Sequence, residues 1–150
     1  MTAVASGLDQ MTLGITEEIR VEAPIDKAFA ALLEELGPSN HGGGDMPMPM
    51  MLEAWPGGRW FRDLGNGNGH LWGHVQAIKA PALLEISGPL MMSFAAVSNV
   101  QYRLKEVDGG TLITLKHSAF GLFPDGYGTP ASQGWKNIFT RVRQRAEAAR

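Results

Sequence analysis

The sequence of 150 residues contains no cysteine. This excludes a disulfide framework, a thiol nucleophile and a thiolate metal site. A large net charge is also absent, since 13 basic and 15 acidic residues give −2 at pH 7, which does not favour a nucleic-acid partner. No apolar run approaches the roughly 20 residues of a membrane span. The first residues lack the pattern of a secretory signal, so we expect a cytoplasmic protein.

Glycine and proline are abundant, at 19 and 9 residues. They separate short runs of alternating apolar and polar residues, which is the pattern of strands joined by tight turns. The predicted strands cover residues 13–21, 52–55, 59–64, 70–79, 83–87, 98–107 and 111–118. No helix interrupts the last six, so we expect an antiparallel meander. Residues 1–12 should be a flexible N-terminus, and residues 13–150 should form one domain.

Two helices are predicted from apolar residues at helical spacing. The first begins after Pro24 and ends at Gly37, and its polar residues, Glu35 among them, should face water. The second covers residues 129–150 and is long enough, at roughly 30 Å, to cross a small domain. Its apolar stripe consists of Trp135, Ile138, Phe139 and Val142. The stripe should cover the dry face of the sheet, which predicts an α+β sandwich with a pocket between sheet and helix.

Aromatic residues, methionines and two histidines are candidates for the wall of this pocket. They are Trp60, Trp72, His74, Met91, Phe94, Tyr102, His117, Phe120, Trp135 and Phe139. Some of them must instead be plain core. The sequence leaves open which face of residues 70–79 points inward. It also leaves open whether residues 37–51, rich in glycine, methionine and proline, are a connector or a flexible rim of the pocket.

The histidines are the residues most suited to chemistry. His117 shares a face with Ile113 and Leu115, and it is either a hydrogen-bonded core residue or a group that contacts a ligand or acts as general base. His70 and His74 are four residues apart, a spacing that chelates a metal on a helix. In a strand this spacing is roughly 13 Å, too far to share one ion. We therefore predict no metal site and no cofactor.

Five segments carry a resemblance to a known family. They read RVEAPIDKAFAALLE, EAWPGGRWF, GHVQAIKAPALLEIS, VQYRLKEVDGGTLITLKHSAFG and a GW pair near the last helix. In this order they are distributed over most of residues 13–148. Together they resemble the START-like superfamily, also called SRPBCC or birch-pollen-allergen-like. Within it, the chain is most similar to the branch named after the activator of heat-shock protein 90 ATPase.

The resemblance implies a helix-grip fold, in which a curled antiparallel sheet of about six to seven strands wraps around a long C-terminal helix. A short helix follows the first strand. It also implies a pocket for a small apolar or amphipathic molecule, without a shared catalytic set. We expect a binding protein in which His117 and Tyr102 orient the ligand. The alternatives are an enzyme of the polyketide cyclase or hydrolase type that uses His117, and a module that activates a chaperone ATPase. A homodimer is left open.

Overall fold

A computed structural model describes residues 7–91 and 93–149. The elements in chain order are β1 (Thr12–Val21), α1 (Ile25–Leu36), β2 (Met51–Leu52), β3 (Arg59–Gly65), β4 (Asn68–Lys79), β5 (Leu83–Gly88), β6 (Ala96–Val107), β7 (Gly110–Gly121) and α2 (Gly128–Ala149). Of the N-terminal segment predicted to be flexible, residues 1–6 lie outside the described residues.

The strands form one sheet in the order β1-β7-β6-β5-β4-β3-β2, with every pair antiparallel. This confirms the predicted sheet and its short helix after the first strand. Of the strand predicted at 52–55, only Leu52 is paired, together with Met51 before it. The second half of the predicted strand turns instead: the Trp55 amide donates to the Glu53 carbonyl and the Gly58 amide donates to the Trp55 carbonyl.

Helix α2 covers one face of the sheet with the predicted stripe. Its buried residues are Trp135, Ile138, Phe139, Val142 and Ala146. Helix α1 packs against α2 and also contacts β6 and β7. The apolar faces of both helices and of the sheet therefore form one continuous core.

The expectation that Glu35 faces water is wrong, because this residue is 4% exposed. Ala28 and Ala31 lie on the same face of α1 and are buried. Helix α2 packs against α1, and Arg145 of α2 meets the carboxylate, with its Nε 2.6 Å from Glu35 Oε2. A second helix covers a part of α1 that the sequence pattern assigns to solvent.

Two irregularities in β4 decide which of its residues point inward. Trp60 pairs with Gly73 and Phe61 pairs with Leu71, so Trp72 is an extra residue on β4 at this point. A second register shift follows between residues 75 and 77. Because the first bulge breaks the alternation, Trp72 is buried whereas His74, two residues later, is exposed. The question left open for residues 70–79 is thereby answered: Trp72 and Val75 face inward, whereas both histidines and Leu71 are exposed.

Gly88 of β5 lies against β4 so closely that no side chain fits. A Cβ atom added there would be 2.4 Å from the Gly73 Cα and 2.4 Å from the Trp72 carbonyl oxygen. We expect Gly88→Ala to lower the free energy of unfolding by about 1–3 kcal/mol, because two strands must separate to make room. Urea unfolding measures this. Gly43→Ala is the control, since nothing lies within 4 Å of its added Cβ. Equal midpoints for the two variants would contradict the prediction.

Candidate functional site

The middle of α2 and the sheet beneath it are joined by aromatic rings. Trp135 and Phe139 are both buried, and each packs edge-on against Tyr102 of β6, with centroid distances of 6.2 and 6.1 Å. Such edge-to-face contacts add stability beyond the area they bury. Three of the predicted pocket residues are thus joined through Tyr102, and their buried rings lie between the helix and the sheet.

His117 of β7 lies in the same layer and connects α2 to β6. The indole nitrogen of Trp135 donates to His117 Nδ1 at 3.0 Å, and His117 Nε2 lies 2.9 Å from the Ser98 hydroxyl oxygen. Both Ser98 and His117 are buried. An indole N–H only donates, so Nδ1 must be the acceptor and the proton of the neutral ring must be on Nε2. The chain of hydrogen bonds therefore runs from Trp135 through His117 to Ser98.

This arrangement determines what His117 can do chemically. Burial lowers the pKa of His117 from 6.5 to about 4, so the ring is neutral at pH 7. A base that activates a serine hydroxyl needs a bare Nε2 towards the serine and an Nδ1–H held by a carboxylate. Here the roles are reversed, since Nε2 carries the proton and Nδ1 accepts from Trp135. Of the two alternatives for His117, these contacts favour the hydrogen-bonded core residue. They give no support to a general base that activates Ser98.

Tyr102 carries a hydroxyl that no group within the described residues satisfies. The residue is 1% exposed, and its Oη makes no hydrogen bond. Burial raises the pKa of this hydroxyl far above its ordinary value, so it stays protonated. It is therefore a hydrogen-bond donor without an acceptor among the described residues. An unpaired buried hydroxyl costs about 1–3 kcal/mol. The Tyr102 hydroxyl is the polar group of the aromatic layer to which a bound molecule could offer a hydrogen-bond acceptor.

Two tryptophans close the other end of the core. Trp60 of β3 and Trp72 of β4 meet edge-on, with centroids 5.0 Å apart. The Trp60 indole donates to the Leu36 carbonyl at 2.8 Å and so satisfies a free carbonyl at the end of α1. Both residues belong to the predicted pocket set. Their contacts are structural, because they connect the end of α1 to the sheet.

A second aromatic cluster lies just before α2, where Phe94, which precedes β6, meets two residues that follow β7. Phe94 packs edge-on against Phe123 and Tyr127, with centroids 5.8 and 5.1 Å apart, and Phe123 stacks on Tyr127. All three rings are half-buried. Of the remaining candidates, Met91 is 55% exposed and Phe120 is 49% exposed. The structure does not bring these two, or His74, into the aromatic layer under α2.

Two concave surfaces are found on the outside of the described chain. One, of about 650 Å³, follows the β3–β4 hairpin from Arg59 to Leu71. The other, of about 680 Å³, lies between the end of α1, the loop that follows it and the last turns of α2. Neither belongs to the space between α2 and the sheet. The second contains Glu35, which the sequence pattern had placed in water.

Within residues 7–91 and 93–149, no three histidines, aspartates or glutamates are grouped so that they could hold a metal ion. His70 and His74 are both exposed, and His117 uses both ring nitrogens inside the core. Over the same residues, no helix has the length and apolar content needed to cross a membrane.

Comparison with solved structures identifies the architecture. Ara h 8.0201 superposes with a TM-score of 0.65 at 16% identity, over 91% of this chain and 99% of that one. The chain has the helix-grip fold. CalU16 from Micromonospora echinospora matches with a TM-score of 0.63 at 20% identity, over 87% of this chain and 71% of CalU16. The di-domain ARO/CYC StfQ from the steffimycin biosynthetic pathway matches with a TM-score of 0.67 at 10% identity, and 97% of this chain covers 54% of StfQ.

No family model matches the sequence, and no curated protein is significantly similar to it. At identities of 10–20%, the solved structures establish the helix-grip fold and its order of elements. They leave the chemistry to be argued from the side chains of this chain.

Proposed function

We propose that this protein binds a small apolar or amphipathic molecule between α2 and the sheet. The observation that carries the proposal is the buried Tyr102 hydroxyl with no hydrogen-bond partner, in contact with the rings of Trp135 and Phe139. A ligand that brings an acceptor to this donor would offset the cost of its burial. The rest of the ligand would be held by apolar contact at roughly 25 cal/mol per Å² buried.

Room for the ligand comes from the aromatic cluster before α2. The rings of Phe94, Phe123 and Tyr127 are half-buried and belong to two loop segments, which move at lower cost than strands. In this proposal they separate to admit the ligand, and the Trp60–Trp72 pair at the other end of the core stays in place. Binding therefore selects a more open form of these loops.

The similarity to structures such as CalU16, StfQ and Ara h 8.0201 supports the fold on which this proposal depends. We also assign the chain to the START-like superfamily on the same grounds. The narrower assignment to the branch of heat-shock protein 90 ATPase activators rests on the five sequence segments alone. Binding without catalysis is favoured over a cyclase or hydrolase, because His117 has the tautomer of a core residue.

Replacement of Tyr102 by phenylalanine tests the proposal. We expect Tyr102→Phe to raise the free energy of unfolding of the ligand-free protein by about 1 kcal/mol, because it removes an unpaired buried hydroxyl. The same change should weaken binding of an amphipathic probe, 8-anilinonaphthalene-1-sulfonate, by several-fold. Fluorescence titration gives the affinity, and native mass spectrometry verifies that one molecule binds per chain.

Tyr127→Phe is the matched control, because the chain has only two tyrosines and Tyr127 is half-buried at the loop cluster. It should leave probe affinity within about twofold of the parent, since its ring contacts are apolar. The proposal fails if the probe does not bind one to one, or if Tyr102→Phe and Tyr127→Phe bind it equally well.

A further inference from the structure

The cleft between α1 and α2 has the composition of a binding site of its own. It is lined by none of the residues of the buried aromatic layer. Its walls include two carboxylates, Glu35 and Asp45, and two guanidinium groups, Arg141 and Arg145, together with His41 and Gln144. Arginines four residues apart lie on the same face of a helix, about 6 Å apart along its axis. The cleft therefore presents two positive and two negative groups within one helical turn.

Glu35 is the residue that marks this cleft as more than a surface groove. It is 4% exposed, and only one of its oxygens is engaged, by Arg145 Nε at 2.6 Å. The other, Oε1, is buried and has no hydrogen-bond partner within the described residues. A buried carboxylate oxygen without a donor is costly, more so than a neutral acceptor. The missing partner is an N–H or O–H group, and the carboxylate charge favours a cationic one.

The second ion pair of the cleft is built differently. Arg141 pairs with Asp45, which follows the two glycines of a single helical turn at 43–45. The Arg141 side chain is only 19% exposed, whereas that of Asp45 is 79% exposed. An exposed ion pair on a loop contributes little stability, so this carboxylate is easily exchanged for another. Arg141 is thus a positioned cation whose present partner a ligand can replace.

From these two features we propose that the cleft binds a small zwitterion. The ammonium group of the ligand donates to Glu35 Oε1, and its carboxylate takes the place of Asp45 on Arg141. A ligand with only a positive charge would meet two arginines, and one with only a negative charge would meet two carboxylates. A zwitterion whose charges are separated by about one helical turn matches both signs. In this proposal the loop 37–51 covers the cleft when no ligand is bound, because the ion pair of Asp45 with Arg141 holds the loop against α2.

Nuclear magnetic resonance titration of the full chain with 4-aminobutyrate tests this proposal. We expect saturable shifts of the backbone amides around Glu35 and Arg145, with millimolar affinity. Butylamine and butyrate carry the same chain with one charge each. Each should bind at least about tenfold more weakly, because a charge-assisted hydrogen bond is lost. The titration requires no ligand under α2, so its result is independent of the Tyr102 experiment.

Two substitutions should change the affinity for 4-aminobutyrate in opposite directions. Glu35→Gln should weaken it about tenfold, because the ammonium loses its counter-charge. Asp45→Asn should strengthen it several-fold, because Arg141 is freed from its competitor; as Asp45 is exposed, this variant folds normally. Glu106→Gln, an exposed carboxylate of β6 outside the cleft, should leave it unchanged. The proposal is overturned if 4-aminobutyrate gives no saturable shifts, if butylamine binds as well, or if Asp45→Asn does not bind more tightly.

Discussion

Replacement of Trp135 by alanine should lower the free energy of unfolding by about 3–5 kcal/mol. The indole is buried, packs against both Tyr102 and His117, and donates the hydrogen bond that holds His117 Nδ1. Its removal leaves a cavity under α2 and an unsatisfied acceptor in the same place. Urea unfolding followed by circular dichroism measures the loss.

Trp135→Phe separates the two contributions, because it keeps a ring and loses the donor. Its cost should be about 1–3 kcal/mol, clearly less than that of Trp135→Ala. Free indole should raise the melting temperature of Trp135→Ala more than that of the parent, since an apolar cavity binds an apolar molecule of matching shape. If the free energy of unfolding of Trp135→Ala lies within about 1 kcal/mol of that of the parent, the Trp135 ring does not fill the interior under α2.

Acidification should destabilise the protein through His117 before the Glu53 carboxylate is protonated. The pKa of His117 is lowered from 6.5 to about 4, because the ring is buried. The unfolded chain therefore takes up this proton more readily than the folded one. The contribution of neutral His117 to the free energy of unfolding is complete above about pH 6.5. It declines as the pH falls from about 6.5 to about 4, and it is lost below about pH 4. The loss amounts to roughly 3 kcal/mol.

The measurement is the free energy of unfolding in urea at several pH values between 7 and 4. His117→Gln, which does not titrate, should flatten this curve. The pKa of Glu53 is lowered to about 2 by its hydrogen bonds and charge pairing with Arg59, so its contribution disappears only as the pH falls from about 4.5 towards 2. A parent curve already flat between pH 6.5 and 4 would contradict the assignment.

The fold could be predicted from the sequence because its signals are local. Glycine-rich turns mark the strand ends, and the stripe from Trp135 to Val142 marks the face of α2 that is buried in the structure. Alternation likewise predicted that the face of β7 with His117 points inward. Each of these features is determined by residues within a few positions of one another.

The details of the site depend on contacts that the local pattern does not contain. Trp72 points inward because a bulge changes the parity of β4, and its register against β3 cannot be read from either strand alone. Glu35 is buried because a helix more than 90 residues later covers it. The only local sign of this contact is the pair of small residues Ala28 and Ala31 on the same face of α1. The tautomer of His117 depends on the Trp135 indole, which comes from another element.

The order of the elements along the chain has a consequence for biosynthesis. Residue Thr12 of β1 pairs with Phe120 of β7, so the first strand has no neighbour until the last strand has been made. The 22 residues of α2 follow later still, and until then the apolar face of the sheet is uncovered. Contacts this distant in sequence close slowly. In a nascent chain, therefore, β1 cannot pair and the apolar face of the sheet cannot be covered until the last two elements have been made.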